Sequence, residues 1–433
     1  MPIRVSATLA DPPQLQRQER AGRRGWNVKA SNFATGTINP IRKVVENMKL
    51  TPNPEKKMIS LSIGDPTVSG HLKPCEEILQ SVENSLRSFK YNGYAASTGH
   101  LQPREAVAKY STRPGAPIEA KDVILTSGCS QALELAICVL ANPGQTVLVP
   151  RPGFPLYKTL AESMGINIKY YTLLPEKGWE VDLADLEHQI SPDTAAIVVN
   201  NPSNPCGSVY SRRHLQSILE VAARNYVPII ADEIYENFVF PGEEFYPIAS
   251  MSLSVPILTC SGLTKRFLVP GWRMGWILIH DRNEVFGSSI RNGLQSLCQR
   301  IMGSNTIIQG ALPSLLKDTP QKFFSEVITS VKVGIDIPQF RGFRHDMDFV
   351  EKLVAEQSVM CLPGMCFDYP NYVRLVLTVP EEDIREACNR IAEFCQKYYR
   401  FSFASDNSSV SEVSSSSCDT TNDVIESPQP IRV

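Results

Sequence analysis

The sequence predicts an α/β protein: a large, mostly parallel sheet with helices on both faces, followed by a smaller α/β domain. Three observations carry this. Short apolar runs alternate with amphipathic stretches along most of the 433 residues, the pattern of strand–helix–strand units. Near Phe323 the pattern changes to longer helical stretches with few strands. A chain of this length also exceeds one compact core.

Each segment can be taken in order. Residues 1–30 are polar and rich in Pro and Arg, and read as a mobile arm. Residues 31–70 contain a helical pattern at Asn39–Met48 that is expected to pack with the smaller domain. The large domain, 71–320, carries strand-like runs at Val123–Leu125, Thr146–Val149, Ile168–Tyr171, Ala195–Val199, Pro228–Ala231, Ile257–Cys260 and Trp276–Ile279; a further run, Met58–Ile63, precedes it. Helical patterns at Gln131–Leu140, Tyr157–Met164 and Arg212–Arg224 separate several of them. The smaller domain, 321–400, includes a strand at Tyr372–Val379. Residues 401–433, with SSVSEVSSSS, hold too few apolar side chains to bury anything and read as a disordered tail.

Composition narrows the function. Apolar residues are 42% and charged residues 20% of the chain, the balance of a soluble globular protein, and no apolar run is long enough to span a bilayer. A net charge of −2 gives no positive field to hold nucleic acid or an anionic membrane. The cysteines lack Cys-x-x-Cys spacing, and Cys361/Cys366 have no histidine nearby. Reduced thiols rather than a zinc site are therefore expected. Arg17, Arg20, Arg23 and Arg24 hint at a mitochondrial presequence, but Asp11 and Glu19 interrupt it, so a cytoplasmic location is expected.

In open α/β sheets ligands bind beyond the carboxyl ends of the strands. Here those ends are polar. Thr126-Ser127-Gly128-Cys129 follows the first run of the large domain and opens a helix, either as an anion site or as a plain N-cap by Ser127. Asn200-Asn201-Pro202-Ser203-Asn204-Pro205 is a stiff turn that can aim an asparagine amide. Asp232 and Glu233 end an apolar strand, at a desolvation cost unless a cation meets them. Ser261-Gly262-Leu263-Thr264-Lys265 and then Pro270-Gly271-Trp272-Arg273 complete the series. Together these are what a phosphorylated aldehyde cofactor needs: an amine nucleophile, a carboxylate for a pyridine nitrogen, and an arginine with backbone N–H groups for the phosphate.

The stretches NNPSNPCGS, ADEIY, SGLTKR and VPGWRMGW resemble those of the fold-type I pyridoxal-5′-phosphate (PLP) aminotransferases. SLSIGDPTV, KYNGYA, DVILTSGCSQA, VPRPGFPLYKTLAESMGI and LVAEQSVMCLPGMCF resemble the animal branch of that family that acts on tyrosine, and the likeness runs from about Pro40 to Tyr399. The resemblance implies that Lys265 forms the Schiff base and that Asp232 pairs with the pyridinium nitrogen. Asn204 and Tyr235 would bond the ring's phenolic oxygen, and Phe154 would stack on the ring. Ser127, Gly128, Cys129, Ser261 and Arg273 would hold the phosphate. Arg374 would bind the substrate α-carboxylate, with Gly64 leaving room for it. The family is homodimeric, so Tyr94, or its neighbour Tyr91, would reach the phosphate of the partner subunit's site. The implied reaction passes an amino group from tyrosine to 2-oxoglutarate.

One departure stands out. After Ser330-Val331-Lys332, read as the end of a helical pattern, the chain passes directly to Val333-Gly334-Ile335. Relative to the family, a segment of roughly thirty residues, about a helix end, a strand and their loops, is missing. Two alternatives stay open: a lyase or synthase of the same fold, which would share Lys265 and Asp232, and a cofactor-binding chain whose shortened smaller domain transaminates poorly.

Overall fold

The computed structural model describes residues 28–399 apart from 237, 240–241, 327–330 and 334–339. Most of the expected arm and the whole of the expected tail lie outside the described residues. The strands are β1 (Ile59–Ser60), β2 (Val123–Thr126), β3 (Thr146–Arg151), β4 (Asn167–Leu174), β5 (Glu180–Val181), β6 (Thr194–Asn200) and β7 (Ile229–Asp232). They continue with β8 (Ile257–Gly262), β9 (Gly275–His280), β10 (Val331–Val333), β11 (Val359–Met360), β12 (Leu362–Pro363) and β13 (Val373–Val376). The helices used below are α1 (Pro40–Asn47), α2 (Glu76–Arg87), α3 (Leu101–Ser111), α4 (Gly128–Leu140), α5 (Leu156–Ser163), α6 (Arg212–Asn225), α7 (Gln321–Glu326), α8 (Asp346–Gln357) and α9 (Glu381–Tyr398).

The large sheet has the order β2-β9-β8-β7-β6-β3-β4-β5. Its centre is parallel, from β8 through β7, β6 and β3 to β4. The sheet is more mixed than predicted, because β9 runs antiparallel to both β8 and β2 and β5 runs antiparallel to β4. The cause is the β8–β9 connection, Leu263–Met274. It contains no crossover helix, and a parallel return needs one.

The central strands read as unbroken apolar runs because both faces are covered. Val198, Ile230 and Leu258 face one core with Leu133, Ala136 and Ile137 of α4. Their neighbours Ile197, Ile229 and Ile257 face the other with Leu215 and Ile218 of α6. Each fully buried aliphatic side chain contributes about 1.5–3 kcal/mol. Helix α6 starts where the Ser211 hydroxyl accepts the His214 N–H and stops at Tyr226, whose φ is 56°. Helix α1 starts at Asn39, whose side chain accepts the Arg42 N–H, with Pro40 in its first turn, a position that tolerates a missing N–H.

A second core gathers Ile59 of β1 and Leu61 just after it with Phe349, Leu353, Val373 and Phe394 from α8, β13 and α9. Beside it Ile41, Val44 and Val45 of α1 pack on Leu362, Cys366 and Phe367. The predicted strand at Met58–Ile63 shortens to β1, which among the described residues pairs with β11 alone. The predicted helical ending at Ser330–Lys332 is corrected: Val331–Val333 is a strand, paired with β13 so that Val333 lies opposite Arg374. Two β-branched residues around Lys332 favour extended backbone, and the free edge of β13 supplies hydrogen-bond partners. Among the described residues no helix is long and apolar enough to cross a membrane.

Candidate active site

Beyond the carboxyl ends of β6, β7 and β8 lies a cavity of about 730 Å³. Gly64, Cys129, Phe154, Asn204, Asp232, Tyr235, Lys265, Arg273 and Arg374 all line it. Of the thirteen predicted positions, far apart in sequence, nine thus surround one space, with Ser127, Gly128, Ser261 and Tyr94 outside its lining.

Asp232, the last residue of β7, is 2% exposed. Its carboxylate accepts the Tyr157 hydroxyl at 2.6 Å, the Ile234 N–H at 3.3 Å and the Cys129 thiol at 3.8 Å. Burial pushes its pKa up, against the pull of these donors. No cation pairs with it among the described residues, so a buried carboxylate waits at a strand end for positive charge. Burial likewise pushes the Tyr157 hydroxyl and the Cys129 thiol well up, with the Asp232 charge adding to it. Both therefore remain donors. Tyr157 was missed in the sequence, where it reads as an ordinary core residue of a helix.

Lys265 is half-buried in the loop after β8. Its ammonium donates to the Gly64 carbonyl and lies 5.8 Å from the centre of the Tyr235 ring. Phe154 meets Tyr157 edge-to-face at 5.8 Å. A side chain added at Gly64 would meet nothing within 4 Å, so open space stands beside this backbone.

Helix α4 points its N-terminus at the cavity. The Ser127 side chain makes no capping hydrogen bond, which removes the plain N-cap reading, and the Ser127 N–H donates to Gln131 Oε1. Gly128 has φ +76°, and a Cβ there would stand 2.3 Å from Arg273 Nη2. Only glycine lets that guanidinium lie across the helix start, where it donates to the Ser127 carbonyl at 3.2 Å. The Cys129 thiol is committed to Asp232, which leaves its backbone N–H alone to serve an anion. Ser261 is placed differently from the expectation: it is 1% exposed and its hydroxyl donates to the Glu233 carbonyl at 3.4 Å. The neighbouring Thr264 lines the cavity instead.

Arg374, on β13, is 5% exposed. It donates to Asn204 Oδ1 at 3.2 Å and to the Ser62 carbonyl at 2.6 Å, and its guanidinium lies 4.8 Å from the Phe367 ring centre. Its buried Nε has no partner, and burial pushes its pKa down to about 10. Asn204 is aimed by Asn200, whose Oδ1 accepts the Asn204 N–H at 2.7 Å and whose Nδ2 donates to the Asp232 carbonyl at 3.0 Å. The stiff turn and the β7 end are therefore one unit. Tyr94 is 88% exposed, while Tyr91 is half-buried, its carbonyl accepting the Thr306 hydroxyl.

A sequence profile described as aminotransferase class I and II matches residues 56–332. The chain belongs to the class I and II aminotransferases. These are PLP enzymes. Among curated relatives, tyrosine aminotransferase of Homo sapiens is 56% identical, the alignment covering 86% of this chain and 88% of the relative. Tyrosine aminotransferase of Mus musculus is 53% identical. That alignment runs over 423 residues, 93% of the mouse protein but 91% of this 433-residue chain, so the relative carries residues that this aminotransferase lacks. The profile match ends at Lys332, where the sequence analysis placed the gap. Among solved structures, a tyrosine aminotransferase from Leishmania infantum superposes with a TM-score of 0.82 at 32% identity, covering 87% of this chain and all of that one.

The residues present fit PLP. Asp232 lacks the cation that a pyridinium nitrogen supplies, Lys265 brings a primary amine into the same cavity, and Arg273 with the start of α4 forms an anion cradle that only glycine at 128 permits.

Proposed function

We propose that this aminotransferase moves the amino group of L-tyrosine, and of other aromatic amino acids, to 2-oxoglutarate, giving 4-hydroxyphenylpyruvate and glutamate. The observation that carries the reading is a cavity lined both by Arg374, which is buried and has no carboxylate partner among the described residues, and by apolar Ile41, Val45, Leu50 and Ile63. It suits a molecule with a carboxylate at one end and an aromatic ring at the other. The names of the mammalian relatives point to the same substrate.

When bound, PLP supplies an electron sink that makes the substrate α-C–H acidic enough to lose its proton. Lys265 Nζ is the amine in reach of that proton and the group to return it. Asp232 holds negative charge at the β7 end in a setting without bulk water. Arg374, with its planar fork of donors, takes the α-carboxylate bidentately and so orients the α-carbon. Arg273, the α4 start and Thr264 would hold the phosphate, and Phe154 would flank the ring.

The active assembly is a homodimer acting in tyrosine and phenylalanine breakdown in the cytoplasm. Supporting a covered face, Leu86, Phe89, Tyr94 and Leu101 stand exposed between the end of α2 and the start of α3, and apolar surface of that kind marks an interface. The test of the reaction adds tyrosine to the PLP-loaded protein. The cofactor absorbance should change, 4-hydroxyphenylpyruvate should appear, and 2-oxoglutarate should restore the spectrum while forming glutamate. An unchanged spectrum with tyrosine, or ammonia release in place of glutamate, would overturn the reading in favour of the lyase alternative or a cofactor-binding chain.

A further inference from the structure

Arg374 donates two hydrogen bonds, to Asn204 and to the Ser62 carbonyl, and its third support is a ring. Phe367, 1% exposed, lies 4.8 Å from the guanidinium. What fixes Phe367 therefore bears on Arg374. Phe367 belongs to the turn between β12 and β13, two strands paired so that Leu362 lies opposite Arg374. The turn is closed by its own backbone: the Gly364 N–H donates to the Tyr372 carbonyl at 2.6 Å, and the Tyr369 N–H to the Gly364 carbonyl at 3.1 Å. Only glycine fits at 364, because a Cβ there would run into the Tyr369 and Tyr372 carbonyl oxygens. Asp346, at the start of α8, accepts the Met365 N–H at 2.6 Å.

Those contacts shape the turn within the smaller domain, and others tie it to the large one. Asp368, next after Phe367, accepts the Tyr170 hydroxyl of β4 on Oδ2 at 2.8 Å and the Lys158 ammonium of α5 on Oδ1 at 3.2 Å. The Gly153 N–H donates to the Phe367 carbonyl at 3.4 Å. Trp179, between β4 and β5, meets Tyr369 and Tyr372 edge-on at 5.6 and 5.9 Å. The two donors to Asp368 come from different elements and take different oxygens, so the carboxylate is held along two directions. Burial and the Asp368 carboxylate push the Tyr170 hydroxyl up to about 12, so it stays a donor. The Lys158 and Asp368 side chains are 30% and 31% exposed, and ion pairs of that kind add little to stability. Their value here is geometric. A two-pronged carboxylate contact needs its guanidinium placed to within about half an ångström, and a ring free to shift beside it removes that precision.

We propose that Asp368 is a positioning residue for substrate binding: clamped by Lys158 and Tyr170, it holds the β12–β13 turn against the large domain and keeps Phe367 seated against Arg374. Asp368 is not among the residues lining the cavity, so it acts through Phe367. The inference rests on the assignment of Arg374 to the substrate carboxylate, part of the transamination reading above.

The test is calorimetric titration of the PLP-loaded protein with 3-phenylpropionate, a carboxylate bearing an aromatic ring and no amino group to react. Arg374→Lys should remove most of its binding, which locates the ligand. Asp368→Ala should weaken binding roughly three- to tenfold, as expected for a partly exposed charged contact acting through a neighbour. Asp368→Glu should recover part of the loss. Lys158→Met and Tyr170→Phe should each cost less than Asp368→Ala, and neither should add to it, since both act through the same carboxylate. Asp383→Asn, which breaks the Lys57–Asp383 ion pair on α9, should leave the titration unchanged. The affinity for PLP should hold in Asp368→Ala, its melting temperature should fall by about 2 °C or less, and in turnover the KM for tyrosine should rise while kcat holds. Unchanged 3-phenylpropionate binding in Asp368→Ala, or a loss matched by an equal loss of PLP affinity, would overturn the proposal. If wild type binds no 3-phenylpropionate, or Arg374→Lys binds it as wild type does, the carboxylate assignment falls and the proposal with it. If wild type binds it but is inert toward tyrosine, the transamination reading falls, and the titration still decides the role of Asp368.

Discussion

At the scale of single residues, the chemistry turns on the donors that hold the buried Asp232 carboxylate. The Tyr157 hydroxyl at 2.6 Å is its shortest contact, and neither the Ile234 N–H nor the Cys129 thiol substitutes for it in distance. Asp232→Asn should leave PLP bound but slow proton transfer by orders of magnitude, since an amide cannot hold a ring nitrogen protonated. Tyr157→Phe should slow it by about tenfold, the worth of one hydrogen bond to a charged group, with the KM for tyrosine little changed. Pre-steady-state absorbance with tyrosine reads both variants, and a wild-type rate in Tyr157→Phe would show that its hydroxyl does nothing for Asp232. Asp232 and Lys265 were legible in the sequence because charged residues ending apolar strands are costly. Tyr157 was not, because its partner lies 75 residues away and nothing in an amphipathic helix singles out its hydroxyl. Ser261 was misplaced for a related reason: a strand residue alternates sides, and the sequence alone does not say which side meets the cavity.

At the scale of elements, the central strands were legible because burial on both faces writes them as continuous Val, Ile and Leu runs. The direction of β9 was not, since direction depends on a connection that carries the cofactor lysine instead of a helix. The smaller sheet was the hardest to read. Its strands are only two to four residues long, too short for an alternating pattern to register. The missing family segment falls at the Lys332–Val333 junction inside β10, yet the two polar anchors of Arg374, Asn204 Oδ1 and the Ser62 carbonyl, lie far from that junction in sequence. Inserting the segment of a relative between Lys332 and Val333 should therefore raise the melting temperature by a few degrees through added burial. The KM for tyrosine should change little. A large drop in that KM would show that the shortened sheet leaves Arg374 poorly seated and that the gap impairs catalysis.

At the scale of the whole molecule, the buried acids make stability depend on pH. Glu233 is 3% exposed, its carboxylate accepts the Ile248 N–H at 2.9 Å, and burial pushes its pKa from 4.5 up to about 8. Glu236 and Asp232 nearby push the same way, and Arg113 opposes them. A raised acid pKa means that the folded state holds a proton the unfolded chain has lost. That stabilisation is complete below pH 4.5 and disappears as pH rises through about 8. His280 runs oppositely: burial and Arg282 push it from 6.5 down to about 3, so its contribution is lost as pH falls below 6.5. Between pH 7 and 9, then, the Glu233 effect stands apart from that of His280. The wild-type melting temperature should decline over that interval, and Glu233→Gln should flatten the decline. An unchanged slope would assign it to other groups.

The cofactor lysine itself can be tested by borohydride reduction of the PLP-loaded protein, followed by proteolysis and mass mapping. The result expected is a single cofactor-bearing peptide containing Lys265, with no label and no visible cofactor absorbance in a folded Lys265→Ala variant. A label on any other lysine, or undiminished absorbance in that variant, would contradict the assignment of this cavity as the active site.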